Sequence, residues 1–229
     1  MLTGRQKIEA AFSREGSQEF AAADCWEYVF IRDHWNQLTA SPWYDQYSPD
    51  LERQTAWRRD VFARTGQDLL HVESFYSKQE RANLIIDDRT EDPFLIDHAN
   101  GNRKKLEPPI IGGWSRPGRL ESVETISLPE TSEELDTQVL QSLPTIAKHI
   151  KEDGSVDLAH ALIKEHGSQL YPIAYADAPL WYFYELWGFE GMMVMIGGKP
   201  DLAKRALPHF TARTIDAVRE AAMLALPGS

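Results

Sequence analysis

One stretch limits what this chain can fold into more than any other: Tyr171 to Leu202, reading YPIAYADAPLWYFYELWGFEGMMVMIGGKPDL. Leu170 to Tyr175 is a short apolar run and reads as a buried strand. Asp177-Ala178-Pro179 ends it, because proline locks φ and brings no donor to a ladder, yet suits the first turn of a helix. Helical segments follow near Leu180 to Trp187 and Gly191 to Ile196, with Gly188 between them. Pro200 fits the first position of a last helix that runs to about Ala225 and is bent at Pro208. A strand that leads straight into helices points to the α/β class.

The preceding residues alternate in the same manner. Thr3-x-x-Gln6 is a capping box, so residues 3 to 15 read as a helix stopped by Gly16. DCWEYVFIR, residues 23 to 31, is aromatic and β-branched and is expected to be the first strand. A helix is expected from Asp50 to Thr65, with Gly66 at its C-terminal cap, and a second strand from Asp68 to Tyr76. Residues 80 to 128 change character, because short β-rich runs are separated by Asp-Asp, Asn-Gly-Asn and Arg-Pro-Gly, and they read as a small antiparallel insertion. Thr131-x-x-Glu134 opens another helix with Leu135, Val139, Leu143 and Ile146 on one stripe and a break at Pro144. A further helix spans Val156 to His166, before Gly167.

With 229 residues, 42% hydrophobic and 26% charged, the chain can bury one sizeable core, and it is read as one domain over 1–229. A net charge of −11 opposes general affinity for nucleic acid or anionic membrane. The N-terminus has no signal-type apolar core and the run Met192 to Ile196 is too short to span a bilayer, so a cytoplasmic location is expected. Cys25 is the only cysteine, which leaves no internal disulfide.

Four segments together resemble the uroporphyrinogen decarboxylase family: GRQKIEAAF, the strand entered through Gly66-x-Asp68, the hairpin tract DHANGNRKKL, and the block from Tyr171 to Leu226, where Pro179, Gly188, Glu190 and Pro200 keep family-like spacing. The resemblance implies a (β/α)8 barrel, of which about three to four βα units fit into this length, since a closed barrel takes about 250 residues. It thus implies a partial, truncated TIM barrel with a hairpin insertion, its open edge covered in a homodimer or by a complementary C-terminal chain. After the first expected strand the decarboxylases carry an arginine-rich R-Q-A-G-R-Y motif. Here the place reads FIRDHWNQL, with Arg32 alone as a substitute, which is closer to the methyltransferase-like branch.

In that family porphyrinogen decarboxylation needs neither metal nor cofactor: a pyrrole is protonated, an aspartate stabilises the cation, and arginines hold the substrate carboxylates. The resemblance therefore implies a lyase for a tetrapyrrole-like substrate, with corrinoid-linked methyl transfer from a methyl-donor substrate as the alternative. A non-catalytic assembly module is the alternative from another class. Asp68 and Glu73, at the two ends of the second strand, are the candidate catalytic carboxylates, against strand capping and plain solvation. Asp177 is the third, against capping of the next helix. His71 shares a strand face with Glu73 at i, i+2, a spacing that permits a metal pair or an acid/base pair. Arg32, His71, Tyr175 and Tyr184 are the substrate-binding candidates, with core packing as the other role for Tyr184. No metal site is expected, and Arg53, Arg58, Arg59 and Arg64 read as a solvated helix face or as carboxylate binders.

Overall fold

The computed structural model describes residues 2–24, 27–112, 127–142 and 150–226, in a mixed helix-and-strand arrangement of the α/β class. The chain divides into two compact units where the sequence reads as one domain. The first holds the described residues up to 112 together with 150–174 and 223–226; the second holds 127–142 and 175–222.

In the first unit, helix α1 (Gly4–Ala11) starts at the expected capping box, with the Thr3 hydroxyl accepting from the Gln6 N–H and the Gln6 side chain returning to the Thr3 N–H. The expected strand over residues 23 to 31 is corrected. Glu27–Leu38 is helix α2, and Cys25 and Trp26 lie outside the described residues. Ile31, Trp35 and Leu38 recur at helical spacing and are buried against Trp57 and Val61 of α3 (Leu51–Thr65), with the Trp35 and Trp57 rings 5.1 Å apart. That packing outweighs the β preference of a short aromatic run. The Asp50 carboxylate caps α3 by accepting from the N–H groups of Glu52 at 2.7 Å and Arg53 at 3.0 Å, and Gly66 ends it.

Strand β1 (Leu69–His71) pairs in parallel with β5 (Tyr171–Ile173), and among the described residues these two form a sheet of their own. Both are shorter than the sequence runs that announced them. Leu70 and Val72 are buried with Leu158 and Leu162 of α6 (Asp157–His166) and with Ile150, Val156 and Leu224. Between β1 and β5 in sequence come the short helix α4 (Lys78–Asn83) and an antiparallel sheet of β2 (Leu84–Asp87), β3 (Phe94–Asp97) and β4 (Asn102–Lys105). The hairpin read in DHANGNRKKL is the β3–β4 pair, with Asp97 opposite Asn102. Neither sheet is a barrel; the runs expected between residues 113 and 126 lie outside the described residues.

Asp68 ties the first unit together. Its carboxylate accepts from the Ala22 N–H at 2.7 Å and from Lys7 Nζ at 3.2 Å, while its backbone accepts from Tyr171 and donates to Ala22. Gly4 packs so closely against it that an added Cβ would lie 2.6 Å from the Asp68 Cα.

The second unit is helical: α5 (Ser132–Ser142), α7 (Pro179–Gly198) and α8 (Pro200–Ala225), whose last residues count to the first unit. Pro208 lies inside α8, whereas Pro144 is outside the described residues. Leu135, Val139, Tyr182, Phe183, Leu186, Trp187, Met192, Met195, Ala206 and Phe210 form its core, and Trp187 Nε1 donates to Gln138 Oε1 at 3.0 Å. The two helical segments expected here are joined at Gly188, whose φ of 70° and ψ of 177° interrupt α7.

Such a conformation is almost exclusive to glycine. Gly188→Ala is therefore expected to cost about 1–3 kcal/mol by backbone strain alone, since nothing lies within 4 Å of the added Cβ. Gly4→Val is expected to cost about as much by overpacking against Asp68. Urea unfolding of both variants, followed by tryptophan fluorescence and by circular dichroism, checks the two values.

Candidate functional site

Successive positions of an extended chain face opposite sides. The even positions Asp68, Leu70 and Val72 are buried in the structural interior of the first unit. The odd positions Gln67, His71 and Glu73 turn polar groups toward α2 and α3, and meet Glu27 from the first turn of α2 and Arg58 from the middle of α3.

Gln67 Nε2 donates to Glu27 Oε1, and the other oxygen, Glu27 Oε2, lies 3.9 Å from His71 Nε2. Arg58 Nη2 lies 3.6 Å from Glu73 Oε1, while Arg58 Nη1 donates to Gln54 Oε1 and the guanidinium stacks 4.1 Å from the centre of the Trp57 ring. Gln54 is itself fixed, its amide donating to the carbonyls of Asp45, Gln46 and Ser48. Arg58 is thus held by side chains that are themselves anchored, and this limits its freedom before any ligand arrives.

Burial sets the electrostatics. The Glu27 carboxyl is pushed above its ordinary 4.5, chiefly because burial penalises its charge; Gln67, His71 and Arg58 work in the opposite direction and Asp24 adds to the rise. Arg58 is pushed down to about 10 by burial, against Glu73 and Glu27, and it keeps its charge at neutral pH. Glu73 is 79% exposed at its side chain, while Glu27, His71 and Arg58 are at most 15% exposed, so Glu73 marks the side from which solvent reaches the group. The arrangement brings together a carboxyl whose pKa is raised by burial, an imidazole within 4 Å of it, and a fixed cation, the kinds of group that general acid chemistry on an anionic substrate uses.

His71 and Glu73 therefore belong to one polar group. The other sequence candidates are placed elsewhere. Asp68, on the opposite parity, spends its carboxylate on Lys7 and Ala22. Arg32 is 2% exposed and its Nε donates to Asp33 at 2.6 Å; this bond and the Gly112 N–H hold the Asp33 carboxyl below its usual range. Tyr175, Asp177 and Tyr184 lie in the second unit. The cap of α7 is Ala178, without a side-chain bond, so Asp177 does not fill the capping role; its carbonyl accepts from Thr214 Oγ1 at 2.8 Å. Tyr184 is 41% exposed and stacks on Trp181 at 4.9 Å, outside the core expected for it.

The sequence pattern does not single out Glu27 or Gln67, and it places Arg58 only within a run of helix arginines. Glu27 carries no signal in a segment whose aromatic and β-branched residues read as a strand. Gln67 shares the i, i+2 parity of His71 and Glu73, and that parity extended backward would have found it.

A separate cleft of about 550 Å³ is bounded by residues 48–53, Arg81 and residues 84–86. Its arginines are already paired, Arg53 with Asp45 and Asp88 and Arg81 with Asp157. Among the described residues no three of His, Cys, Asp and Glu come together in a way that would hold a metal ion, and no helix is long and apolar enough to cross a membrane. Comparison of the chain with family models, with curated proteins and with solved structures gives no match.

A carboxyl with a raised folded-state pKa binds its proton more tightly in the native state. Stability from this source is greatest below the ordinary value of 4.5 and falls as the pH rises toward the folded value. In Glu27→Gln that fall is removed. The unfolding free energy of the variant relative to the parent chain is expected to improve as the pH rises above the ordinary value of 4.5 and to level off once the folded value is passed, measured by urea titration at each pH. A difference independent of pH would rule out the raised carboxyl.

Proposed function

We propose that this chain is a lyase-type domain that decarboxylates a porphyrinogen-like polycarboxylate without metal or cofactor, in the manner of the uroporphyrinogen decarboxylase family. The single observation that carries this reading is the buried group of Glu27, His71 and Arg58 beside β1, with Glu73 at its rim. In this reading Arg58 binds a substrate carboxylate, for which a planar guanidinium is suited. Glu27 delivers a proton to a pyrrole ring carbon, and His71 restores it. The bond to the departing carboxylate then breaks, its electron pair moves into the protonated ring, and carbon dioxide leaves. A second proton arrives at the exocyclic carbon as the ring carbon gives up the first. The parallel pair β1 and β5, each joined to helices, supports the finer fold reading as two staves of a partial (β/α)8 barrel.

A second reading has one observation in its favour. Among the described residues β1 and β5 have only each other as strand partners, and open parallel edges are normally covered. On this reading the chain is a non-catalytic module whose sheet is extended by a complementary C-terminal chain.

The test is anaerobic carbon dioxide release from uroporphyrinogen, with tryptophan quenching by a polycarboxylate porphyrin as the binding readout. Glu27→Gln is expected to lower kcat about 10²-fold or more at nearly unchanged KM. Arg58→Met is expected to raise KM and weaken quenching. Turnover unaffected by both substitutions, or an absence of both turnover and quenching in the parent chain, overturns the lyase reading; quenching without turnover favours the binding module.

A further inference from the structure

Glu73 has no step in the proton transfer assigned to Glu27, yet it stands beside the cation that a ligand needs. The guanidinium of Arg58 is fixed from the protein side. Its Nη1 donates to the side chain and to the backbone carbonyl of Gln54, and the group lies 4.1 Å from the centre of the Trp57 ring. Nη2 is the nitrogen nearest Glu73, whose Oε1 is 3.6 Å away. A charge-assisted hydrogen bond closes to about 2.7–2.9 Å, so this pair is held by charge without a hydrogen bond.

The two partners differ in freedom. Arg58 is 14% exposed and anchored. Glu73 is largely exposed, follows the end of β1 by two positions, and has no second ion pair or hydrogen bond among the described residues. An exposed pair of this kind is weak, because solvent screens it and a long side chain gives up rotamer freedom to hold it. A free carboxylate that meets the guanidinium with both oxygens makes the stronger contact.

We propose that Glu73 is a specificity-determining residue of this site: its carboxylate stands where a ligand carboxylate binds, and an incoming anion has to displace it from Arg58. Glu73 thereby sets a threshold for anions and leaves the site to ligands whose carboxylate meets Arg58 with both oxygens. The inference rests on the reading of Arg58 as the carboxylate-binding residue, and it does not require turnover. Two other roles fit Glu73 less well. A proton carrier belongs inside the buried group with Glu27 and His71, and Glu73 lies outside it. A structural tie between β1 and α3 calls for a bonded and buried pair, such as Lys7 and Asp68 form at 3.2 Å.

Calorimetric titration with citrate tests this without an enzyme assay. Glu73→Gln is expected to tighten citrate binding about 3–10-fold, since it removes both the weak pair and the like-charge repulsion at the cation. Where turnover is measured, the gain should fall on KM rather than on kcat. Asp201→Asn, in the second unit and 98% exposed at its side chain, removes the same charge and is expected to leave citrate binding unchanged. Equal tightening in the two variants, an unchanged or weakened affinity in Glu73→Gln, or no citrate binding by either Glu73→Gln or the parent chain overturns the proposal. Tighter citrate binding in Glu73→Gln alone, in a chain that releases no carbon dioxide, supports it and fails the lyase reading only.

Discussion

The first unit depends on a parallel contact between two three-residue strands, β1 and β5, brought together from distant parts of the sequence. Because parallel strands need a long crossover, the pairing closes a large loop, and the entropy of that closure has to be offset locally. Asp68 contributes by joining α1, the segment at Ala22 and the start of β5 through one residue. The buried side chains of Leu70 and Val72, packed on α6, add the hydrophobic part.

The alternation of β1 then divides structure from chemistry. Its even positions serve the core. His71 of β1, with Gln67 before the strand and Glu73 after it, enters a setting already occupied by Glu27 and Arg58. A carboxyl and a guanidinium buried this far are costly unless paired, and the network of Gln67, Gln54 and Trp57 reduces that cost while fixing geometry. The residual desolvation of Glu27 raises its pKa, and the proposed proton transfer rests on that burial.

The sequence was most legible where structure is local. Thr3 and Gln6, Asp50 and Gly66, and the hairpin from Asp97 carry their own hydrogen bonds within a few residues, and each is found where the pattern placed it. The reading failed at residues 27–31, where aromatic and β-branched side chains mimic a strand although their helical period becomes visible only with Trp35 and Leu38 included. Of the site, the parity of His71 and Glu73 was legible; Glu27 was not, because its place beside Gln67, 40 positions away in the chain, follows from how α2 packs and is unseen by any local pattern.

The amino-acid sequence by itself determined the helix starts and stops, the acidic balance, the α/β alternation and the Gly188 break between two apolar helical segments, since these follow from backbone sterics and side chains acting on near neighbours. Only the tertiary structure decided that α2 is a helix, that Asp68 holds the first unit together while His71 and Glu73 face Glu27 and Arg58, and that Phe189 and Met193 of α7 are exposed. Those outcomes rest on contacts between residues far apart in the chain, where burial and packing override local preference.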